Sequence, residues 1–128
     1  MNNELFIDKL RKSYNNFGII KLSQLSSTPI NELIELLDLD FKTFNDLEFR
    51  QHGFYPNGVQ AKIKFDNGYG ASIVRTPTTY GGDKGLYELA VLGKDGRLNY
   101  DTPITFDVIG YLTPKEVTDF LIQIQDLK

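Results

Sequence analysis

Residues 58–75 restrict the fold more than any other part of this chain. In GVQAKIKF, Val59, Ala61, Ile63 and Phe65 alternate with Gln60, Lys62 and Lys64. A period of two places one set on a buried face and the other in water, which is the pattern of a half-buried antiparallel strand. Asp66-Asn67-Gly68 follows, and Asn-Gly between two alternating runs is a strong short-range hairpin signal. The return strand runs from Tyr69 to Arg75, with Ala71, Ile73 and Tyr69 sharing a face. An antiparallel sheet is therefore the nucleus of the fold.

Further strands extend it. LYELAVL (86–92) reads as a third strand, Lys94-Asp95-Gly96 as a tight turn and Arg97 to Tyr100 as a short fourth. LEFRQH (47–52) supplies a candidate strand ahead of the hairpin. At the end of the chain, Thr113-Pro114-Lys115-Glu116 has a capping Thr, Pro at the first helical position and Glu three residues after the cap. Val117, Phe120, Leu121, Ile124 and Leu127 then form one apolar stripe, so a helix there is expected to cover the sheet.

The first third has helical periodicity. Phe6, Leu10, Tyr14 and Phe17 are spaced four, four and three apart, and Gly18 is placed to end that helix in a left-handed conformation. IIKLSQL (19–25) fits strand or helix. Thr28 and Pro29 announce a second helix as cap and first residue, with Ile30, Leu33, Ile34 and Leu37 as its buried side. The expected fold class is α+β: an N-terminal helical pair, an antiparallel meander of about four strands and a C-terminal helix packed on the sheet. Residues 1–128 are expected to form a single domain, helical over 1–46 and sheet plus helix over 47–128.

Composition limits the function. The chain has 128 residues, 41% of them hydrophobic, enough for one core without staples. There is no cysteine and one histidine, which removes thiol chemistry and the usual zinc sites. No acidic run has the spacing of a calcium loop. His52 has no nucleophile-elbow or triad partner in the sequence and reads as structural. The expectation is a non-enzymatic protein with no catalytic residue, no metal and no cofactor. Net charge is −3, far from a nucleic-acid binder's basic footprint. No apolar run reaches the ~18 residues of a membrane span, and charge enters the N-terminal stretch at once. The expected setting is the cytoplasm, away from membranes. The oligomeric state is left open.

Three surfaces remain. Tyr and Phe total 7 and 9. Phe54, Tyr55, Tyr69, Tyr80, Tyr100, Phe106 and Tyr111 fall in turns or loops, where they serve either as interface anchors or as plugs at the sheet's ends. Phe54, Tyr55 and Tyr80, with the acidic side chains Glu32, Glu35 and Asp38, form the candidate protein-binding set. The loop 76–85 (TPTTYGGDKG) gives a second candidate. Arg75, Gly81, Gly82 and Lys84, with free backbone amides, would hold an anionic nucleotide signal, although neither glycine stretch is a phosphate motif. The third is a helix-turn-helix layout over residues 7–40, a DNA-binding regulator. The reading helix PINELIELLDLD carries four acidic residues and no Lys or Arg, so it would repel phosphate, and direct nucleic-acid binding is disfavoured.

The strings NGYGASIVR, YGGDKGLYELAVL and DGRLNYDTPITFDVIGYLTPKEV resemble a small protein family of bacteriophages and prophages of low-GC Gram-positive bacteria. The resemblance covers residues 58–124 and transfers no functional residue. It implies a phage protein acting in the host cytoplasm. Small acidic phage proteins of this size often bind and block a host component, so the implied function is a stoichiometric inhibitor of a host defence protein, anti-CRISPR-like, with a Cas nuclease among the candidate partners.

Overall fold

The computed structural model describes residues 3–105 and 107–127. Phe106, one of the loop aromatics singled out above, lies outside them. The chain divides into two compact units, Met1–Phe41 and Lys42–Lys128.

The first unit contains three helices, α1 (Asn3–Phe17), α2 (Ile19–Ser26) and α3 (Ile30–Leu37), where the sequence suggested a pair. The ambiguous segment 19–25 is helical. Gly18 ends α1 by donating its N–H to the Tyr14 carbonyl, 2.8 Å. Its φ of 85° and ψ of 165° lie in an extended, essentially glycine-only region, not the left-handed helical one that was expected. One residue thus reverses the chain and opens α2. Leu10, Ile19, Leu22, Leu33 and Leu37 are buried, while Phe6 and Phe17 are exposed. The apolar stripe of α1 therefore faces inward only at its middle. Pro29 stands at the N-cap of α3, and no side chain caps that end. The Thr28 hydroxyl is instead directed back to the Ser26 carbonyl.

The second unit is a five-stranded antiparallel sheet in the order β1-β2-β3-β4-β5, a meander, with α4 (Pro114–Gln125) packed on it. The strands are β1 (Arg50–Gln51), β2 (Val59–Lys64), β3 (Gly70–Arg75), β4 (Tyr87–Leu92) and β5 (Ile109–Leu112). The α+β class, the meander and the covering helix match the reading of the sequence; the strand count and the last strand do not. Arg97 to Tyr100 forms a single bridge, Leu92 to Leu98, not a strand. Asn99 accepts the Asp101 N–H at 2.8 Å, and this Asx turn peels the chain away. The edge is taken by Ile109–Leu112, whose glycine and lack of alternation hid it.

The core confirms the period-two reading. Phe65, Ala71, Ile73, Leu89 and Val91 from the sheet meet Leu112 and, from α4, Val117, Leu121 and Ile124, all buried. Each large apolar side chain hidden there stabilises the unit by about 1.5–3 kcal/mol. Thr113 caps α4 as expected: its hydroxyl accepts the Glu116 N–H at 3.3 Å, and the Glu116 carboxylate accepts the Thr113 N–H at 3.2 Å. The other end of α4 is capped from a distance. The Asn67 side-chain amide, in the β2–β3 turn, donates to the carbonyls of Ile124, Gln125 and Leu127 at 2.8–3.1 Å. Its Oδ1 accepts the Tyr69 N–H. A 3₁₀ turn at Phe44–Asp46 is pinned to α4 through Thr118, whose hydroxyl accepts the Phe44 N–H at 3.0 Å.

Candidate functional site

A meander puts alternate connections at the same end of the sheet. Gln51 pairs with Val59, Val59 with Arg75, and Tyr87 with Leu112. The loops 52–58 and 76–86 and the β5–α4 junction therefore lie side by side. Among the described residues, that end carries the most exposed aromatic side chains of the unit.

The loop 52–58 is closed by its own backbone. His52 N–H donates to the Gly58 carbonyl and Gly58 N–H to the Tyr55 carbonyl, both 2.9 Å. His52 Nδ1 accepts the Phe54 N–H at 3.1 Å, and its ring lies 5.5 Å from that of Tyr55. The histidine is thus spent on holding the turn, as its isolation in the sequence suggested. What it holds is Phe54, 89% exposed, with Tyr55 at 37%. A Cβ on Gly58 would stand 2.7 Å from the Thr76 methyl and 3.1 Å from Tyr55 Cβ, so this loop and the start of the next are in direct apposition.

The loop 76–86 is organised by Thr76, which is buried. Its amide donates to Thr79 Oγ1, its hydroxyl accepts the Thr78 N–H, and its carbonyl accepts the Thr79 hydroxyl and N–H. Tyr80 N–H donates to the Glu88 carboxylate at 3.1 Å, and the Tyr80 carbonyl accepts the Tyr111 N–H at 3.1 Å. Opposite, β5 carries a bulge. Ile109 pairs with Leu89 and Leu112 with Tyr87, so Gly110 and Tyr111 together face Glu88. The bulge places Tyr111 at φ 59°, a left-handed conformation that a bulky residue adopts at a cost of about 1–2 kcal/mol. Gly110 is required here, because a Cβ would run into Tyr80 Cβ. The outcome is a pair of exposed tyrosines, Tyr80 at 60% and Tyr111 at 55%, ring centroids 6.4 Å apart. The Lys84 ammonium stands 6.0 Å from the Tyr111 ring centre, a long cation–π contact.

The candidate residues therefore sort into three places. Phe54, Tyr55 and Tyr80 share the aromatic end, joined by Tyr111, which the sequence offered only as one loop aromatic among seven. Its usable signal was the Gly-Tyr pair just before a capping box. Glu32, Glu35 and Asp38 are exposed on the helical unit, where Asp38 at φ 53° also forms the C-cap of α3.

The anion-site residues are committed elsewhere. The Arg75 guanidinium lies 5.1 Å over the Tyr87 ring and donates to its hydroxyl at 3.3 Å. Tyr87 is itself locked edge-on to Phe44 at 5.2 Å. Gly81 is buried, and a Cβ on Gly82 would strike the Thr76 carbonyl. The amides of Gly82, Lys84, Gly85 and Leu86 all donate to carbonyls within the loop. Of the proposed anion ligands, only Lys84 presents an exposed side chain that makes no hydrogen bond among the described residues.

No protein-family model matches the chain, and neither a curated protein nor a solved structure matches it. The class is set by architecture: a three-helix unit joined to a five-stranded antiparallel meander with one covering helix. The sheet unit carries an aromatic end built on a strained bulge. Among the described residues, no helix is long and apolar enough to cross a membrane.

Proposed function

We propose that this protein is a stoichiometric binder that grips another protein with the aromatic end of its sheet and blocks it by occupancy. The observation that carries the reading is Tyr111. Backbone strain is retained where the surroundings enforce it, and such strain clusters at functional positions. Here the bulge, the Gly110 gap and the Tyr80 carbonyl together enforce a conformation whose product is an exposed ring. Phe54, Tyr55, Tyr80 and Tyr111 have the composition of interface anchors: large, amphipathic and cheap to order. The resemblance to phage proteins supplies the partner class, a host defence protein in the host cytoplasm, anti-CRISPR-like, with a Cas nuclease or its complex as the leading candidate. The acidic side chains Glu32, Glu35 and Asp38 suit a partner whose working surface is basic, as a nucleic-acid channel is.

The nucleotide-sponge and DNA-regulator readings have less support. Loop 76–86 spends most of its amides internally and Arg75 stacks on Tyr87. α3 presents acid, not base.

The test is affinity capture from a host lysate, followed by a titration of the purified partner's activity. A 1:1 end point is expected, and Phe54→Ala/Tyr80→Ala/Tyr111→Ala should weaken retention by about 100-fold or more. Retention unchanged in that variant, or no protein retained well above micromolar concentration, overturns the reading.

A further inference from the structure

The outer face of the sheet, opposite α4, holds a second feature that none of these readings uses. Leu47 and Phe49 pack toward the core, so the residues alternating with them, Glu48 and Arg50, lie on the other side. Arg50 pairs with Gln60, and Lys62 follows Gln60 on the same face. Glu48, Arg50, Gln51, Gln60 and Lys62 line a hollow of about 370 Å³, within the size range of small-molecule sites.

Arg50 pairs with Gln60, and Glu48, Arg50 and Lys62 line the same hollow. Neighbouring side chains of opposite charge on a sheet can stabilise it by pairing. Here none of the three forms an ion pair or hydrogen bond through its side chain among the described residues. Among the described residues, the Arg50 and Lys62 side chains thus have no ion-pair partner. The Gln60 side-chain amide donates to Ser72 Oγ at 3.0 Å, which fixes its orientation and leaves its carbonyl oxygen without a hydrogen-bond partner among the described residues. The wall accordingly offers two sets of groups: the donors of Arg50 and Lys62, and the acceptor oxygens of Gln60 and Glu48. Among the described residues no aromatic ring lines it, so none of them would stack a nucleobase.

We infer that this hollow is a binding site for a small hydroxylated anion of the sugar-phosphate class. The guanidinium fork and the ammonium take the phosphate oxygens, as charge-assisted donors do. The Gln60 carbonyl and the Glu48 carboxylate accept hydroxyl protons of the sugar. A bare anion would leave those two acceptors unused and would meet the Glu48 charge. The site uses none of Phe54, Tyr55, Tyr80 or Tyr111, although Gln51 at its edge donates to the Pro56 carbonyl of loop 52–58, so its failure leaves the proposed function standing.

Titrating the full chain with glucose 6-phosphate, and separately with glucose and with inorganic phosphate, while following backbone amide NMR signals, tests the site. Saturable shifts at residues 48–51 and 60–62 are expected with glucose 6-phosphate, at a dissociation constant of about 1 mM or tighter. Each half-probe should bind at least about tenfold more weakly. Arg50→Gln/Lys62→Gln should weaken glucose 6-phosphate binding at least about tenfold with an unchanged melting profile, since both side chains are exposed. Glu48→Gln should tighten inorganic phosphate while not improving glucose 6-phosphate. Absence of saturable shifts by about 20 mM, shifts confined to other residues, or an unaffected double variant overturns the inference. So does inorganic phosphate binding as well as the sugar phosphate.

Discussion

The two ends of the sheet use similar residues in opposite ways. At the hairpin end, Asn67 spends its whole side chain on the C-terminus of α4 and on the Tyr69 amide. The Tyr69 ring there is half-buried and lies under the Lys94 ammonium at 5.4 Å. Asn67 and Tyr69 both tie elements together. At the opposite end, His52, Thr76 and Gly110 do comparable tying, yet the result is that Phe54, Tyr80 and Tyr111 are held out of the core. One end of the sheet ties elements of the fold together, and the other holds its aromatic rings exposed.

Breaking the hairpin end should have the largest effect on stability. Asn67→Ala leaves several carbonyls of the last turn of α4 without their donor and is expected to cost about 2 kcal/mol. A fall of roughly 10 °C in thermal midpoint checks this. Partner affinity should not change, since the aromatic end is untouched.

Next in size is an effect on association kinetics. Glu32→Gln/Glu35→Gln/Asp38→Asn removes the acidic face of α3, and Asn tolerates the left-handed backbone at position 38. The association rate should fall about tenfold at low salt, and the difference should fade as salt rises, because steering is screened. Stopped-flow or surface measurements at two ionic strengths report it.

Relief of the bulge sharpens the comparison. Tyr111→Gly removes the left-handed penalty and is expected to stabilise the unit by about 1 kcal/mol in chemical denaturation. It should also weaken partner binding. Gaining stability while losing affinity is the signature of strain kept for function, and a variant that loses both would make Tyr111 an ordinary structural residue.

The smallest effect concerns Asp119 on α4. Burial raises its carboxyl above the ordinary value; Lys115 opposes this and Glu116 adds to it. A raised pKa in the folded state means that the contribution to stability is full at pH below the ordinary carboxylate range and is lost as pH climbs through the raised value. Asp119→Asn should therefore stabilise slightly at neutral pH, within about 0.5 kcal/mol given its solvent exposure, and give nothing in acid. Melting curves at both pH values check the sign.

Much of this fold was legible because its signals are local. The alternation of 59–65, the Asn-Gly turn and the Thr113–Glu116 capping box each carry their geometry within a few residues. β5 was not legible. Gly110 and Tyr111 obey no period, since the bulge that shapes them depends on Glu88 and Tyr80 in other segments. Helix α2 was ambiguous for a related reason: eight residues show barely two helical turns, and Gly18 decides the chain's direction there. The candidate site was readable by residue type alone. That Phe54, Tyr55 and Tyr80 meet at one end follows from strand order, whereas the long reach of Asn67 to α4 and the stacking of Arg75 on Tyr87 are tertiary facts with no sequence signature.

The most direct test is amide hydrogen exchange on the chain alone and bound to its captured partner. New protection confined mainly to residues 52–58, 76–86 and 109–113, with the hairpin at 65–69 unchanged, is the expected result. Protection centred on the hairpin, with the aromatic loops exchanging as they do in the free protein, would contradict it.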